Sequence, residues 1–175
     1  MKKVFIIAWL LGIATGNAFP ADTYSDDLVS FNYPNNFTIQ KDSGSKGFYH
    51  VDNQGQRGLI QILSGDYSGY SNKKIKPIIV EMVNAYLKDD KGGIKYSLLS
   101  DPELITLKEG NRAKGYKTLI LSTLKNTDVK SKFLNYYFVI NGKLVQFMFQ
   151  LKEGKSAPKP NEQNYLSIIN SFQIR

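Results

Sequence analysis

The only histidine of the chain is the residue that comes closest to catalytic chemistry. His50 stands two positions before Asp52, and a histidine oriented by a carboxylate can act as the general base for a serine nucleophile. On a short strand, however, two residues at this spacing point to the same face and are more often an exposed polar pair. The sequence contains neither a Gly-x-Ser-x-Gly elbow nor a glycine-rich phosphate loop. We therefore predict that the protein is not an enzyme.

The residues also give little support for a metal or another cofactor. The chain has no cysteine, which excludes disulfides and thiolate ligands, and one histidine is too few for a zinc site. Calcium is harder to exclude, because Asp22, Asp26 and Asp27 are clustered and Asp52 is followed by Asn53. Neither group matches the twelve-position calcium loop. We predict a flexible, solvated segment around the three aspartates and no cofactor, and calcium binding there stays open.

A segment with two tyrosines and three lysines is the best candidate binding surface. Tyr67 and Tyr70 are separated by serine and glycine, and Lys73, Lys74 and Lys76 follow them. Exposed tyrosine supplies contact area at a low entropy cost, and with neighbouring lysines it can bind an acidic or carbohydrate surface. The alternative is that one tyrosine folds back onto the sheet. We predict that these five residues bind a partner.

The element that organises the chain is a predicted β-hairpin. Asn141-Gly142 joins the apolar runs Phe133–Ile140 and Lys143–Leu151, and a third run, Ala113–Leu124, precedes them. Asn-Gly between alternating apolar runs indicates a two-residue type I′ turn. Directly opposed residues share a face of the sheet. The pairs predicted for the apolar face are Phe138 with Val145, Tyr136 with Phe147, and Leu134 with Phe149.

The second face of this hairpin is mixed, since Phe133, Tyr137 and Met148 alternate with glutamine and asparagine. If a helix covers these three side chains they are core, and if none does they form an exposed apolar patch that marks a partner site. We favour the core interpretation. We expect the hairpin to be well covered on one face and partly covered on the other.

Two amphipathic patterns predict helices on this sheet. The first is Lys76–Lys88, with Pro77 in its first turn, and the second is Asn161–Phe172, with Asn161 as its cap. The fold class is therefore mixed α/β (α+β), with a central, mainly antiparallel sheet flanked by helices. Asp52–Gly58 is predicted as a long hairpin loop. Further strands are predicted at Leu28–Tyr33, Phe37–Gln40, Phe48–Val51, Leu59–Leu63, Ile94–Leu99 and Leu104–Leu107.

The first eighteen residues read as a signal peptide. Lys2 and Lys3 precede the apolar run Val4–Ile13, and Gly16 and Ala18 are small residues at the −3 and −1 positions of a cleavage site. The run is well short of the ~20 residues that span a membrane. We predict cleavage near Ala18, no transmembrane segment afterwards, and a single domain over residues 19–175 in the periplasm or outside the cell.

The chain is basic, and its charge limits the classes of partner. Loss of Lys2 and Lys3 lowers the formal net charge from +8 to +6. A basic surface favours an anionic surface or an acidic protein as a partner, although scattered lysines also keep an exported protein soluble, which is the interpretation we favour. The lysines form no block and an exported protein rarely meets nucleic acid, so we predict no nucleic-acid partner.

Four stretches spread along the chain carry a family resemblance: Phe31–Phe37, Ala113–Tyr116, Tyr136–Lys143 and Ile168–Phe172. They resemble the PsbP/DcrB-like family, which also includes a Ran-binding nuclear import factor. The resemblance implies an α/β/α sandwich around a twisted, mainly antiparallel sheet. It also implies a role in binding or assisting other proteins, with no catalytic residue to transfer. Metal positions proposed in the photosynthetic branch have no match in this chain.

The sequence thus predicts a non-enzymatic, exported bacterial accessory protein that binds another envelope or secreted protein. The alternative is a small-ligand or lipid-binding module of the cell envelope. That alternative requires a concave apolar pocket rather than a filled core.

Overall fold

The computed structural model describes the chain from residue 21 onward, with several gaps. The predicted signal peptide and Asn161, the predicted cap of the second helix, lie outside the described residues. No helix within the described part is long and apolar enough to cross a membrane. The described residues are 21–53, 55–88, 93–106, 114–125, 127, 129–151 and 162–175.

The described residues form ten strands and two helices, which confirms a mixed α and β structure dominated by sheet. Every strand pair is antiparallel. The elements in chain order are β1 (Ala21–Ser25), β2 (Val29–Pro34), β3 (Thr38–Lys41), β4 (Phe48–Asn53), β5 (Gln56–Ile62), α1 (Asn72–Lys88), β6 (Ile94–Thr106), β7 (Lys114–Leu124), β8 (Lys130–Ile140), β9 (Lys143–Leu151), α2 (Glu162–Ser171) and β10 (Gln173–Ile174).

The strands make one large sheet and one small sheet. Seven strands pair in the order β3-β4-β5-β9-β8-β7-β6, and three pair in the order β1-β2-β10. The predicted hairpin β8–β9 lies in the middle of the large sheet. Strands β5 and β7 pair with the two outer edges of this hairpin, so its side chains pack through its two faces.

The two-residue turn and the register of this hairpin are confirmed. Asn141 and Gly142 have φ angles of 47° and 73°, the positive values that a type I′ turn requires. The amide of Tyr67 donates a hydrogen bond of 2.7 Å to the carbonyl of Gly142, which ties the turn to the preceding loop. The observed pairs are Phe138 with Val145, Tyr136 with Phe147, and Leu134 with Phe149.

Alternate side chains of the hairpin belong to two hydrophobic clusters. Tyr136, Phe138 and Phe147 pack in the first cluster with the small sheet and α2. Tyr137 and Leu144 pack in the second cluster with α1. Successive residues of a strand point to opposite faces, so the two clusters lie on opposite sides of the hairpin.

Helix α1 begins four residues earlier than predicted, at Asn72 rather than Lys76, so Pro77 lies inside it. The carbonyl of Ser71 accepts the amides of Lys74 and Ile75, and Ile75 is buried in the second cluster. An interior proline removes the amide that would bond to the carbonyl four residues before it, and its ring crowds that carbonyl. The added turn also buries Ile75, which offsets that cost.

The two strands predicted around Ser100 are one strand, β6. Its pairing with β7 is irregular at Ser100. There the Ser100 carbonyl accepts a hydrogen bond of 2.7 Å from the Thr118 hydroxyl, and the Ser100 hydroxyl accepts one of 2.9 Å from the Leu119 amide. Strand β6 is an edge of the sheet, where bulges and proline are tolerated. Pro102 therefore does not end the strand.

Two predictions about loops were wrong for a similar reason. Asp52–Gly58 is not a long loop, because Asn53 pairs with Gln56 across a tight turn in which Gly55 has a φ of 83°. The segment around the first aspartates is not an irregular terminus, because Ala21–Ser25 pairs with β2, although most of its residues are exposed as predicted. In both cases a partner strand orders polar residues that carry no apolar alternation of their own.

Candidate functional site

The tyrosine–lysine surface consists of the five residues predicted from the sequence: Tyr67, Tyr70, Lys73, Lys74 and Lys76. The rings of Tyr67 and Tyr70 are in edge-to-face contact, with centroids 5.5 Å apart. The ammonium nitrogen of Lys74 lies 5.9 Å from the Tyr70 ring centroid, within cation–π range. The structure thus brings both tyrosines and Lys74 together. Lys73 and Lys76 are exposed on α1, but they stand one and two positions from Lys74, so their side chains leave the helix in other directions.

The two tyrosines differ in how much they can offer a partner. Tyr67 packs partly against the second cluster, and its hydroxyl donates to the carbonyl of Ser64 at 3.2 Å. Tyr70 is 45% exposed. One tyrosine therefore folds back, as the alternative interpretation held, and supports the other. Among the residues described, none of the three lysines takes part in a salt bridge.

His50 is exposed on β4 and approaches a different carboxylate from the one its spacing suggested. Its Nε2 lies 3.6 Å from Asp42 Oδ2. The carboxylate of Asp52 instead accepts the amide of Gly55 at 3.0 Å. The His50–Asp52 pair of the sequence analysis is therefore not formed, and within the described ranges no carboxylate hydrogen-bonds to the histidine ring.

Two of the three aspartates for which calcium was left open, Asp26 and Asp27, bind a lysine instead, and Asp22 lies on β1 opposite Tyr33. Lys41 Nζ lies 2.9 Å from both Asp26 and Asp27. Burial works to raise the pKa of Asp26, but the hydrogen bonds from Lys41, the Val29 amide and the Tyr49 hydroxyl outweigh it and hold the pKa far below its usual range. Within the described residues no cluster of three or more acidic or histidine side chains could hold a metal ion.

A second candidate site, which we call the trough, is a concavity of about 660 Å³ on the α1 face of the large sheet. Helix α1 covers the part of this face near the β8–β9 turn, around Tyr137 and Leu144, and leaves the other part uncovered. The trough is lined by Phe48, His50, Gly55, Arg57, Gly58, Leu59, Ile94, Ser122, Leu124, Val129, Ser131, Phe133, Met148 and Gln150.

The register of the sheet explains why residues from six strands meet in the trough. His50 lies opposite Leu59, Leu59 opposite Met148, and Gln150 opposite Phe133, so these side chains share one face. Leu124 and Val129 line the trough beside β6 and β7, and the amide of Leu124 donates to the carbonyl of Val129. The mixed hairpin face is thus divided: Tyr137 is core, whereas Phe133 and Met148 line the trough.

A small side pocket of about 90 Å³ adjoins the trough and shares Phe133 and Met148 with it. Beneath it lies a buried polar network, in which Gln146 donates to Asn135 at 3.1 Å and to Tyr137 at 3.3 Å. Tyr86 of α1 donates its hydroxyl to Gln146. Burial raises the pKa of both tyrosines, so they stay neutral donors and acceptors. The network joins α1 to the floor of the sheet and defines the edge of the trough.

Comparisons with known proteins bear on the fold alone. No protein-family model matches the sequence, and no curated protein does either. A crystal structure of a protein from Bacteroides thetaiotaomicron VPI-5482 is similar, with a TM-score of 0.53 and 15% sequence identity. The match covers 84% of this chain and 45% of that one, so the chain spans less than half of its length.

Sequence reasoning identified the tyrosine–lysine surface but only part of the trough. Phe133 and Met148 were noticed because they break the polar alternation of the hairpin. The sequence places Leu59 and Leu124 in ordinary strands, and Arg57 and Val129 in connections between strands. The only signal that could have found them is cross-strand register, which the sequence shows for the β8–β9 pair alone.

Proposed function

We propose that the protein is an exported, non-enzymatic accessory protein that binds another protein of the cell envelope or outside the cell. The observation that carries this proposal is the tyrosine–lysine surface, where Tyr70 is exposed, in edge-to-face contact with Tyr67 and within cation–π range of Lys74. An aromatic ring already held by its neighbours loses little conformational entropy when a partner binds.

The charge of this surface indicates an acidic partner. The first two turns of α1 carry three exposed lysines: Lys73, Lys74 and Lys76. Such lysines raise the rate of encounter with an acidic protein surface more than the final affinity. The complex should therefore form more slowly as ionic strength rises, since the Debye length falls to about 8 Å at physiological salt.

Export, family and layering belong to the same proposal. The apolar leader with two lysines supports export to the periplasm or the exterior and cleavage near Ala18. The packing of α1 and α2 in clusters on opposite sides of the hairpin supports an α/β/α sandwich. That layering, with the quoted stretches of sequence, supports a place among PsbP/DcrB-like proteins.

A second candidate function is a small-ligand or lipid-binding module. The trough favours it, because its volume falls within the roughly 300–1,000 Å³ of small-molecule sites and its lining is mostly apolar. This candidate uses a different surface, so the two functions can be tested separately.

Crosslinking in the native cell envelope tests the first function. A C-terminally tagged chain is crosslinked, recovered, and the retained protein identified by mass spectrometry. We expect one specific partner, lost with Tyr70→Ala and weakened several-fold by Lys74→Gln. Leu104→Ala, a change at a 51% exposed leucine of β6, is the matched control and should retain it. No specific protein, or one that both Tyr70→Ala and Leu104→Ala retain equally, would refute the proposal.

A further inference from the structure

The rim of the trough exposes apolar side chains. Leu124 is 41% exposed and Val129 is 60% exposed, and both border a floor that contains Leu59, Phe133 and Met148. Single exposed apolar residues are ordinary, but a contiguous apolar patch on a concave surface marks a binding site. The site therefore offers a ligand a long apolar contact.

The polar side chains on the floor satisfy one another. Gln150 donates to the hydroxyl of Ser131 at 2.9 Å and accepts the backbone amide of Arg57 at 3.3 Å. Neither glutamine nor serine therefore needs a hydrogen bond from a ligand. The part of the bound molecule that lies across the middle of the trough can be purely apolar.

The one strong charge at the trough is at its opposite end from Leu124 and Val129. Arg57 lies on β5, and among the described residues its guanidinium forms no salt bridge. Asp52 lies opposite it in register and accepts the Gly55 amide; this carboxylate lines a separate polar concavity that Arg57 also borders, and it does not line the trough. His50 is beside Asp42, and no aspartate or glutamate is among the residues that line the trough.

We infer that the trough binds an anionic amphiphile, with its alkyl chain over Phe133 and Met148 towards Leu124 and Val129, and its anionic head group at Arg57. The apolar run crosses the strands between β5 and β7, three spacings of about 4.8 Å each. The planar fork of an arginine guanidinium matches the geometry of a carboxylate and of a phosphate. The ligand is therefore a fatty-acid carboxylate or a lipid phosphate. This inference does not depend on the tyrosine–lysine surface.

Isothermal titration calorimetry with defined amphiphiles below their micellar concentrations tests the inference. Dodecanoate should bind one to one and about tenfold more tightly than decanoate, because each buried methylene strengthens binding about three- to fourfold. Dodecyltrimethylammonium should bind at least tenfold more weakly than dodecanoate. A parallel titration with dodecyl phosphate distinguishes a carboxylate ligand from a phosphate ligand. Whichever of the two amphiphiles binds more tightly identifies the preferred head group and supports the inference.

Variants locate the site and the charge. Val129→Ser and Leu124→Ser, at exposed positions that should not impair folding, are expected to weaken dodecanoate three- to tenfold, whereas Leu104→Ser is the matched control and should not. Arg57→Gln should remove the preference for dodecanoate over dodecanol, and Lys95→Gln should preserve it. Absence of dodecanoate binding, equal binding of the cationic probe, or equal weakening by Leu104→Ser would overturn the inference. So would dimerisation that Val129→Ser abolishes, since a second copy would then occupy the trough.

Discussion

Gly115 of β7 lies directly opposite Phe138 of β8, and the phenylalanine ring occupies the space where a side chain at position 115 would stand. A β-carbon on Gly115 would collide with two ring carbons of Phe138 and with the carbonyl of Tyr137. Phe138 is fully buried in the first cluster, so the ring cannot move aside. A glycine under an aromatic ring is a recognised way of filling a sheet without excess volume.

Gly115→Ala is therefore expected to lower the free energy of unfolding by about 3 kcal/mol, the upper range for overpacking a core. Urea denaturation, monitored by far-ultraviolet circular dichroism, measures this change in the free energy of unfolding. Gly69→Ala is the matched control, because no atom lies within 4 Å of its added carbon, and it should be close to neutral. Equal stability of the two variants would contradict the packing.

Gly142→Val should also destabilise the protein, here through the backbone. The φ of 73° is unfavourable for a β-branched residue, and the added carbon would lie 3.2 Å from Asp66 Oδ1 and from Ser68 Cβ. We expect a loss of about 2 kcal/mol, measured by thermal unfolding. Gly142→Asn should cost clearly less, because asparagine tolerates positive φ. If valine and asparagine behave alike, backbone strain is not the cause.

Asp26→Asn should make stability less dependent on pH. The pKa of Asp26 is held below its usual value of about 4 in the folded protein, so its stabilisation is complete above that value and is lost as pH falls towards the folded pKa. At pH 7 we expect the substitution to cost about 2 kcal/mol through weaker hydrogen bonds. The difference from the parent protein should shrink between pH 4 and pH 2 in urea titrations.

Asp27→Asn provides the comparison for that experiment. Asp27 shares Lys41 with Asp26 but is 78% exposed, and ion pairs in solvent contribute little. Its substitution should change both stability and pH dependence far less. A larger effect at position 27 than at position 26 would mean that the exposed ion pair with Lys41, rather than the hydrogen bonds of Asp26, stabilises this part of the fold.

Screens for esterase, phosphatase, peptidase and glycosidase activity are expected to be negative. The sequence has no nucleophile motif, and His50 is exposed beside Asp42 rather than oriented by Asp52. Purified protein and the His50→Ala variant should therefore give the same background rate in each assay. Turnover that disappears with His50→Ala would overturn this prediction.

The sequence by itself determined the features that depend on neighbouring residues. Asn141-Gly142 required positive φ, and that local requirement predicted the turn, the register and the apolar pairs around Phe138 and Tyr136. The apolar stripes of α1 and α2 were equally local. The absence of cysteine and of catalytic motifs also needed no structure, and the spacing of Tyr67 and Tyr70 predicted a surface that the fold does assemble.

Only the tertiary structure decided the features that depend on residues far apart in the chain. Ser100 continues β6 past Pro102 because Thr118 and Leu119 of another strand bond to it, and Ala21–Ser25 is ordered because β2 pairs with it. The trough exists because α1 covers only part of one sheet face, and no other described element covers the part that carries Arg57 and Val129. No local pattern encodes that arrangement, since its energy comes from contacts that form only when distant strands pair.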